Sequence, residues 1–203
     1  WVEKFSSSAD TSQGRRVFWG KVATGDVAMG TAVQILPSGQ RATVAQVLDH
    51  TRQAKSRGAG QSAGIVLDRE VDVSRGDWLI AAPVAAAAAD DDFDAPAEQA
   101  TWPATREITA TVAWMDDEPL VPGRVYQALH GRRWTKAKVR KVLHRLDINT
   151  LERQAAEQLE PNAIGRVEIT LQEAIPAAPF ASSRELGSLI LVDPASNSTA
   201  AAV

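Results

Sequence analysis

The chain has 203 residues, 44% of them hydrophobic, with a formal net charge of -3 and no cysteine. That length suits one large domain or two of about 100 residues each, and the composition excludes a disulfide framework, a thiolate metal site and a helical span of about 20 apolar residues. The acidic balance disfavours general attraction to nucleic acid and leaves only a local basic patch for such a role.

In chain order, the opening WVEKFSSSAD carries no signal-peptide pattern. With the lack of cysteine, this points to a cytoplasmic setting and no membrane association. A start at Trp1 predicts a fragment or a processed product, with residues 1–13 as a lead-in. Residues 14–83 read as short strands divided by turn residues. RRVFWGKVATGDV brings Val17, Phe18, Trp19 and Val22 before a Gly25-Asp26 turn; TAVQIL and RATVAQVL flank Pro37-Ser38-Gly39; AGIVLD and Trp78 to Ala82 follow. Proline second and glycine fourth suit a type I turn starting at Leu36. Several short strands at this spacing predict a small barrel.

The stretch over 84–103 is rich in Ala, Asp and Pro. Its aspartates and prolines oppose a long helix, so it reads as a linker. Residues 104–203 alternate more cleanly. In EITATVAWM, Ile108, Ala110, Val112 and Trp114 share a face, and in RVEITL so do Val167, Ile169 and Leu171. Period two places one face of each strand in a core and the other in water. NTLERQAAEQLEPN has a helix-start signature, Asn149 followed by Glu152, and Pro161 would end it. The fold class is all-β: two tandem antiparallel β-barrels.

Candidate chemistry is sparse. Arg75-Gly76-Asp77 reads as a turn, because glycine frees the backbone and aspartate bonds nearby amides. Asp116, Asp117 and Glu118 precede a proline and suit a strand-to-strand turn more than a carboxylate pair for acid–base work. His50, His130 and His144 lack metal-site spacing, and no nucleophile accompanies them. SRGAGQSAG lacks the Gly-Lys-Ser/Thr ending of a phosphate loop. No catalytic, cofactor-binding or metal residue is assigned.

The run HGRRWTKAKVRKVLHR contains no acid. On a strand, Lys136, Lys138 and Arg140 project to one face, with Arg132, Arg133, Trp134, Lys141 and Arg145 nearby. Such a stripe suits phosphates with base stacking, or an acidic partner subunit.

Taken in order, LPSG, AGQSAGIVL, DVSRGDWL, WMDDEPLVPGRVY, DINT, LEPNAIGRVEITL and DPASNSTAAA resemble the region after the nucleotide-binding domain of translation-factor-type GTPases. More specifically, they resemble the large GTP-binding subunit of bacterial sulfate adenylyltransferase. The resemblance implies barrels of the elongation-factor Tu domain II/III type and a role coupling GTP hydrolysis to adenylyl transfer from ATP to sulfate. It implies as partners a catalytic small subunit and the chain's own GTPase domain, with GTP and Mg²⁺ held only in that domain. The alternative within the same superfamily is a barrel pair that binds tRNA.

Overall fold

Period-two burial is clearest in the second half of the computed structural model, which describes residues 2–4, 16–51, 56–82 and 104–203. The linker expected over 84–103 lies outside these, as does the lead-in of residues 1–13 apart from Val2–Lys4. The chain divides into two compact units, Trp1–Pro103 and Ala104–Val203. The described residues contain strands and no α-helix.

The first unit contains β1 (Val2–Lys4), β2 (Arg16–Lys21), β3 (Asp26–Ala28), β4 (Ala32–Leu36), β5 (Arg41–Leu48), β6 (Ser56–Gly58), β7 (Ser62–Leu67) and β8 (Trp78–Ala81). Six of them form an antiparallel sheet in the order β1-β2-β7-β5-β4-β8, and β3 pairs with β6 as a separate ribbon. Phe18, Val33, Ile35, Val44 and Leu67 meet in its core with Val27 and Val71. Val17, Leu48 and Val66 form a second cluster with Trp19 and Ala45 packed on it, so β2, β5 and β7 bury side chains on both faces. The Leu36 turn differs from expectation. Its Leu36–Pro37 peptide is cis and Gly39 has φ +75°. The Gly39 amide donates to the Ile35 carbonyl at 2.7 Å, one residue earlier than a type I turn beginning at Leu36 would place the bond.

The second unit contains β9 (Ala104–Trp114), β10 (Val125–His130), β11 (Arg133–Leu146), β12 (Arg153–Gln154), β13 (Ile164–Pro176), β14 (Ile190–Val192) and β15 (Thr199–Ala202). The order β10-β14-β15-β9-β13-β11 closes on itself through a β10–β11 pairing, with β12 appended to β11. Closure leaves the barrel wall without a free edge. Its interior combines the large Trp114 and Tyr126 with the small Ala128, Ala137, Ala200 and Ala201, all buried. Alternating large and small residues lets the layers interdigitate in a narrow cylinder.

The helix start at Asn149 is not realised. The Asp147 carboxylate accepts the amides of Asn149 at 2.9 Å and Thr150 at 3.1 Å, and Leu151 takes φ +59°. The chain then returns as β12 along Arg145 and Leu146. Leu159, which a helix would have placed on its apolar stripe, bonds Leu120 in both directions and is fully buried. The local capping signal competed with an aspartate two residues upstream, and the turn prevailed.

Candidate functional site

The stripe on β11 is built by alternation. Trp134, Lys136, Lys138 and Arg140 are exposed, while Thr135, Ala137 and Val139 are buried between them. Register with β13 shifts between Val139 and Lys141, and this irregularity leaves Lys141 exposed next to Arg140. On β10, Leu129 lies opposite Trp134, Gln127 opposite Lys136, and Val125 opposite Lys138. Trp134 remains 52% exposed and Val125 43%.

The five cations among the six predicted residues split into two electrostatic groups. Arg133 is neutralised, its Nε donating to Glu173 Oε2 at 2.8 Å, and Arg140 Nη1 reaches Glu107 Oε1 at 3.2 Å. Arg132, Lys136 and Lys138 form no ion pair among the described residues. Lys141, exposed next to Arg140, forms no ion pair among the described residues either, so the uncompensated charge extends from beside Trp134 to beyond Arg140.

A second polar arrangement, invisible to sequence spacing, fastens one rim of the same barrel. Arg124 donates to Glu118 at 2.8 Å and to Asp193 at 3.2 Å, across 69 positions in the latter case. Its guanidinium lies 5.5 Å from the Tyr126 ring centroid. Asp193 also accepts from the Ser196 amide and hydroxyl. The Ser196 amide, with help from that hydroxyl and from Arg124, holds the Asp193 carboxyl below its ordinary range. Burial pushes the Tyr126 phenol up to about 12, so it stays neutral. These groups clamp turns; Asp116 and Glu118 belong to that frame, since Asp116 accepts the Glu118 amide and Trp114 Nε1 donates to the Glu118 carbonyl at 2.8 Å.

The remaining motifs are structural. In the Arg75-Gly76-Asp77 turn, Asp77 folds its carboxylate back onto the Ser74 amide at 2.8 Å, and Gly76 takes φ +93°. Of the glycines of SRGAGQSAG, Gly58 ends β6, Gly60 lies in the turn that leads on to β7, and Gly64 lies within β7; Gln61 Oε1 accepts the Gly58 amide across that turn. His130 is buried at the end of β10 with Nε2 3.3 Å from the Leu186 carbonyl, and burial holds its pKa below the ordinary value. Among the described residues no group of three or more His, Asp or Glu is arranged to hold a metal. An open groove of about 580 Å³ has a mostly aliphatic lining that includes Val121, Pro122, Val142, Leu143 and Ala156. No helix among the described residues is long and apolar enough to cross a membrane.

Comparison with known proteins fits this frame. Residues 107–203 match the family described as GTP-eEF1A C-terminal domain-like. The bifunctional enzyme CysN/CysC of Xylella fastidiosa is 38% identical over 92% of this chain and 27% of its own length. Sulfate adenylyltransferase subunit 1 of Tolumonas auensis is 34% identical over 91% of the chain and 36% of its own length. The corresponding subunit of Cronobacter sakazakii is 33% identical over 92% of the chain. The chain thus spans between 27% and 36% of the length of these relatives. A crystal structure of Sup35 complexed with GDP superposes with a TM-score of 0.75 at 17% identity, covering 98% of this chain and 44% of that one. That likeness concerns the fold and agrees with barrels of the elongation-factor type.

Proposed function

Because the chain is homologous to sulfate adenylyltransferase subunit 1 over 92% of its length, we propose that it serves as the non-catalytic tandem-barrel region of such a subunit. In this reading it works in the cytoplasm and links GTP hydrolysis, carried out elsewhere in the subunit, to adenylyl transfer from ATP to sulfate on a partner subunit. The observation that carries the proposal is the similarity itself: it runs through nearly the whole chain and covers only 27% to 36% of each relative. The physical role follows from stiffness. A closed six-stranded barrel with a dense core moves as a body, so a nucleotide-driven displacement at one point of its wall is delivered intact at another.

The phosphate chemistry is assigned to no residue of this chain. Nucleotide binding of this class needs backbone amides cradling phosphates at a strand–loop–helix junction with a lysine and a hydroxyl, and the glycine-rich segment here is a turn between two strands. Calorimetric titration of GTP with Mg²⁺ into the 203-residue chain should give no saturable heat. Binding in the micromolar range would overturn the non-catalytic reading. RNA binding is a second reading, favoured by one observation, the half-exposed Trp134 among unpaired cations.

A further inference from the structure

We infer that the outer face of β10 and β11 centred on Trp134 docks an acidic protein surface, and that this surface belongs to the partner subunit of the adenylyltransferase. The inference rests on the subunit reading proposed for the chain.

Three features converge on this face. The first is an aromatic anchor: Trp134, 52% exposed, is the second residue of β11 and is held in register with Leu129 of β10. An exposed tryptophan on a fixed backbone loses little side-chain freedom on burial, and this is the residue type most enriched among binding hot spots. The second is apolar continuity. Leu129 lies opposite Trp134, and Val125, 43% exposed, opposite Lys138, so apolar side chains flank the anchor and the lysines. The third is selective charge compensation. The protein supplies its own carboxylates to Arg133 and Arg140, and among the described residues supplies none to Arg132, Lys136 and Lys138 near the anchor or to Lys141 beyond Arg140. A partner carrying carboxylates around an apolar recess would complete both patterns at once, with charge steering the encounter and the indole supplying the buried contact.

The same arithmetic weighs against RNA. Nucleic-acid affinity grows with the number of phosphates neutralised, and typical binders make about 6–10 such contacts. Four unpaired cations (Arg132, Lys136, Lys138 and Lys141) and one aromatic, on a chain of net charge -3, fall short of that number.

The test is kinetic binding of the full 203-residue chain to purified small subunit from the same organism, at low and high salt. The unaltered chain should bind, with association slowed by salt. Lys136→Glu with Lys138→Glu should weaken binding about 10- to 100-fold, chiefly through the association rate, and remove most of the salt dependence. Trp134→Ala should weaken it by a similar factor through faster dissociation. Arg153→Glu, an exposed substitution on β12, should change it by less than about twofold. All altered residues are exposed, so circular dichroism and melting should match the parent; the milder Lys136→Gln with Lys138→Gln serves if they do not. Normal binding by the Trp134 and lysine variants would overturn the assigned face and leave the subunit reading intact. No binding by the unaltered chain would sink both. Binding of tRNA at physiological salt, abolished by the lysine reversals, would replace the acidic protein with RNA.

Discussion

Trp114→Ala is expected to destabilise the second barrel by about 3–5 kcal/mol, the range for emptying a large aromatic site in a core. Trp114 is 1% exposed at the end of β9, and its ring meets Tyr126 edge-on with centroids 5.5 Å apart. Removing the indole forfeits this contact, leaves a cavity that the small Ala200 and Ala201 nearby cannot fill, and strands the Glu118 carbonyl that now accepts its N–H. That carbonyl belongs to the turn whose side chain Arg124 holds, so the loss would reach the rim clamp as well. For a unit of about 100 residues, each 1 kcal/mol corresponds to roughly 4–8 °C in melting temperature. Thermal unfolding followed by circular dichroism should show a drop of at least about 12 °C for part of the signal. Trp114→Phe, which keeps most of the packing and loses the hydrogen bond, should fall between the two. A variant melting within a few degrees of the parent would contradict the assigned core.

Gly165→Ala is the second large effect, for the opposite reason. A methyl group at Gly165 on β13 would meet Leu159 Cδ2 at 2.5 Å and the His144 carbonyl oxygen at 2.8 Å. Leu159 cannot swing aside, because its backbone is bonded to Leu120 in both directions and its side chain is fully buried. The carbonyl belongs to β11, the strand paired with Gly165. Overpacking of this kind costs about 1–3 kcal/mol or more. Urea unfolding should move to a clearly lower midpoint without a change in slope. Combining it with Leu159→Ala should recover part of the loss relative to the sum of the single changes, since one clash is removed and the carbonyl clash stays. Gly64 makes an informative contrast. There the added carbon would lie 3.0 Å from Trp19 ring atoms and Val17 Cγ1, a less severe approach with no backbone atom in it, so Gly64→Ala should be the milder change. Strict additivity at Gly165 and Leu159 would refute the proposed contact.

The strands of the second unit were legible because alternation is a local property. Ile108 to Trp114 and Val167 to Leu171 announce their buried faces residue by residue, and β11 does the same while carrying its cations on the outer side. What stayed hidden depends on contacts distant in sequence. The Asn149 helix signature could not be weighed against the Asp147 turn and the pull of Leu120 on Leu159, which settle that segment after the chain has come together. The Arg124–Asp193 pair spans 69 positions and leaves no spacing to read. The division of the stripe into neutralised and unpaired cations required the positions of Glu107 and Glu173 on other strands. The face was therefore visible from sequence, and its charge balance was not.

The most direct measurement of the central claim is competition in a reconstituted enzyme. Intact subunit 1 and its partner would form adenylyl sulfate from ATP and sulfate with GTP present, while this chain is titrated in. If the chain occupies the docking position without doing nucleotide chemistry, the GTP-stimulated part of the rate should fall to zero as the chain saturates the partner, and the GTP-independent part should persist. An undiminished GTP-stimulated rate at saturating chain would contradict the account.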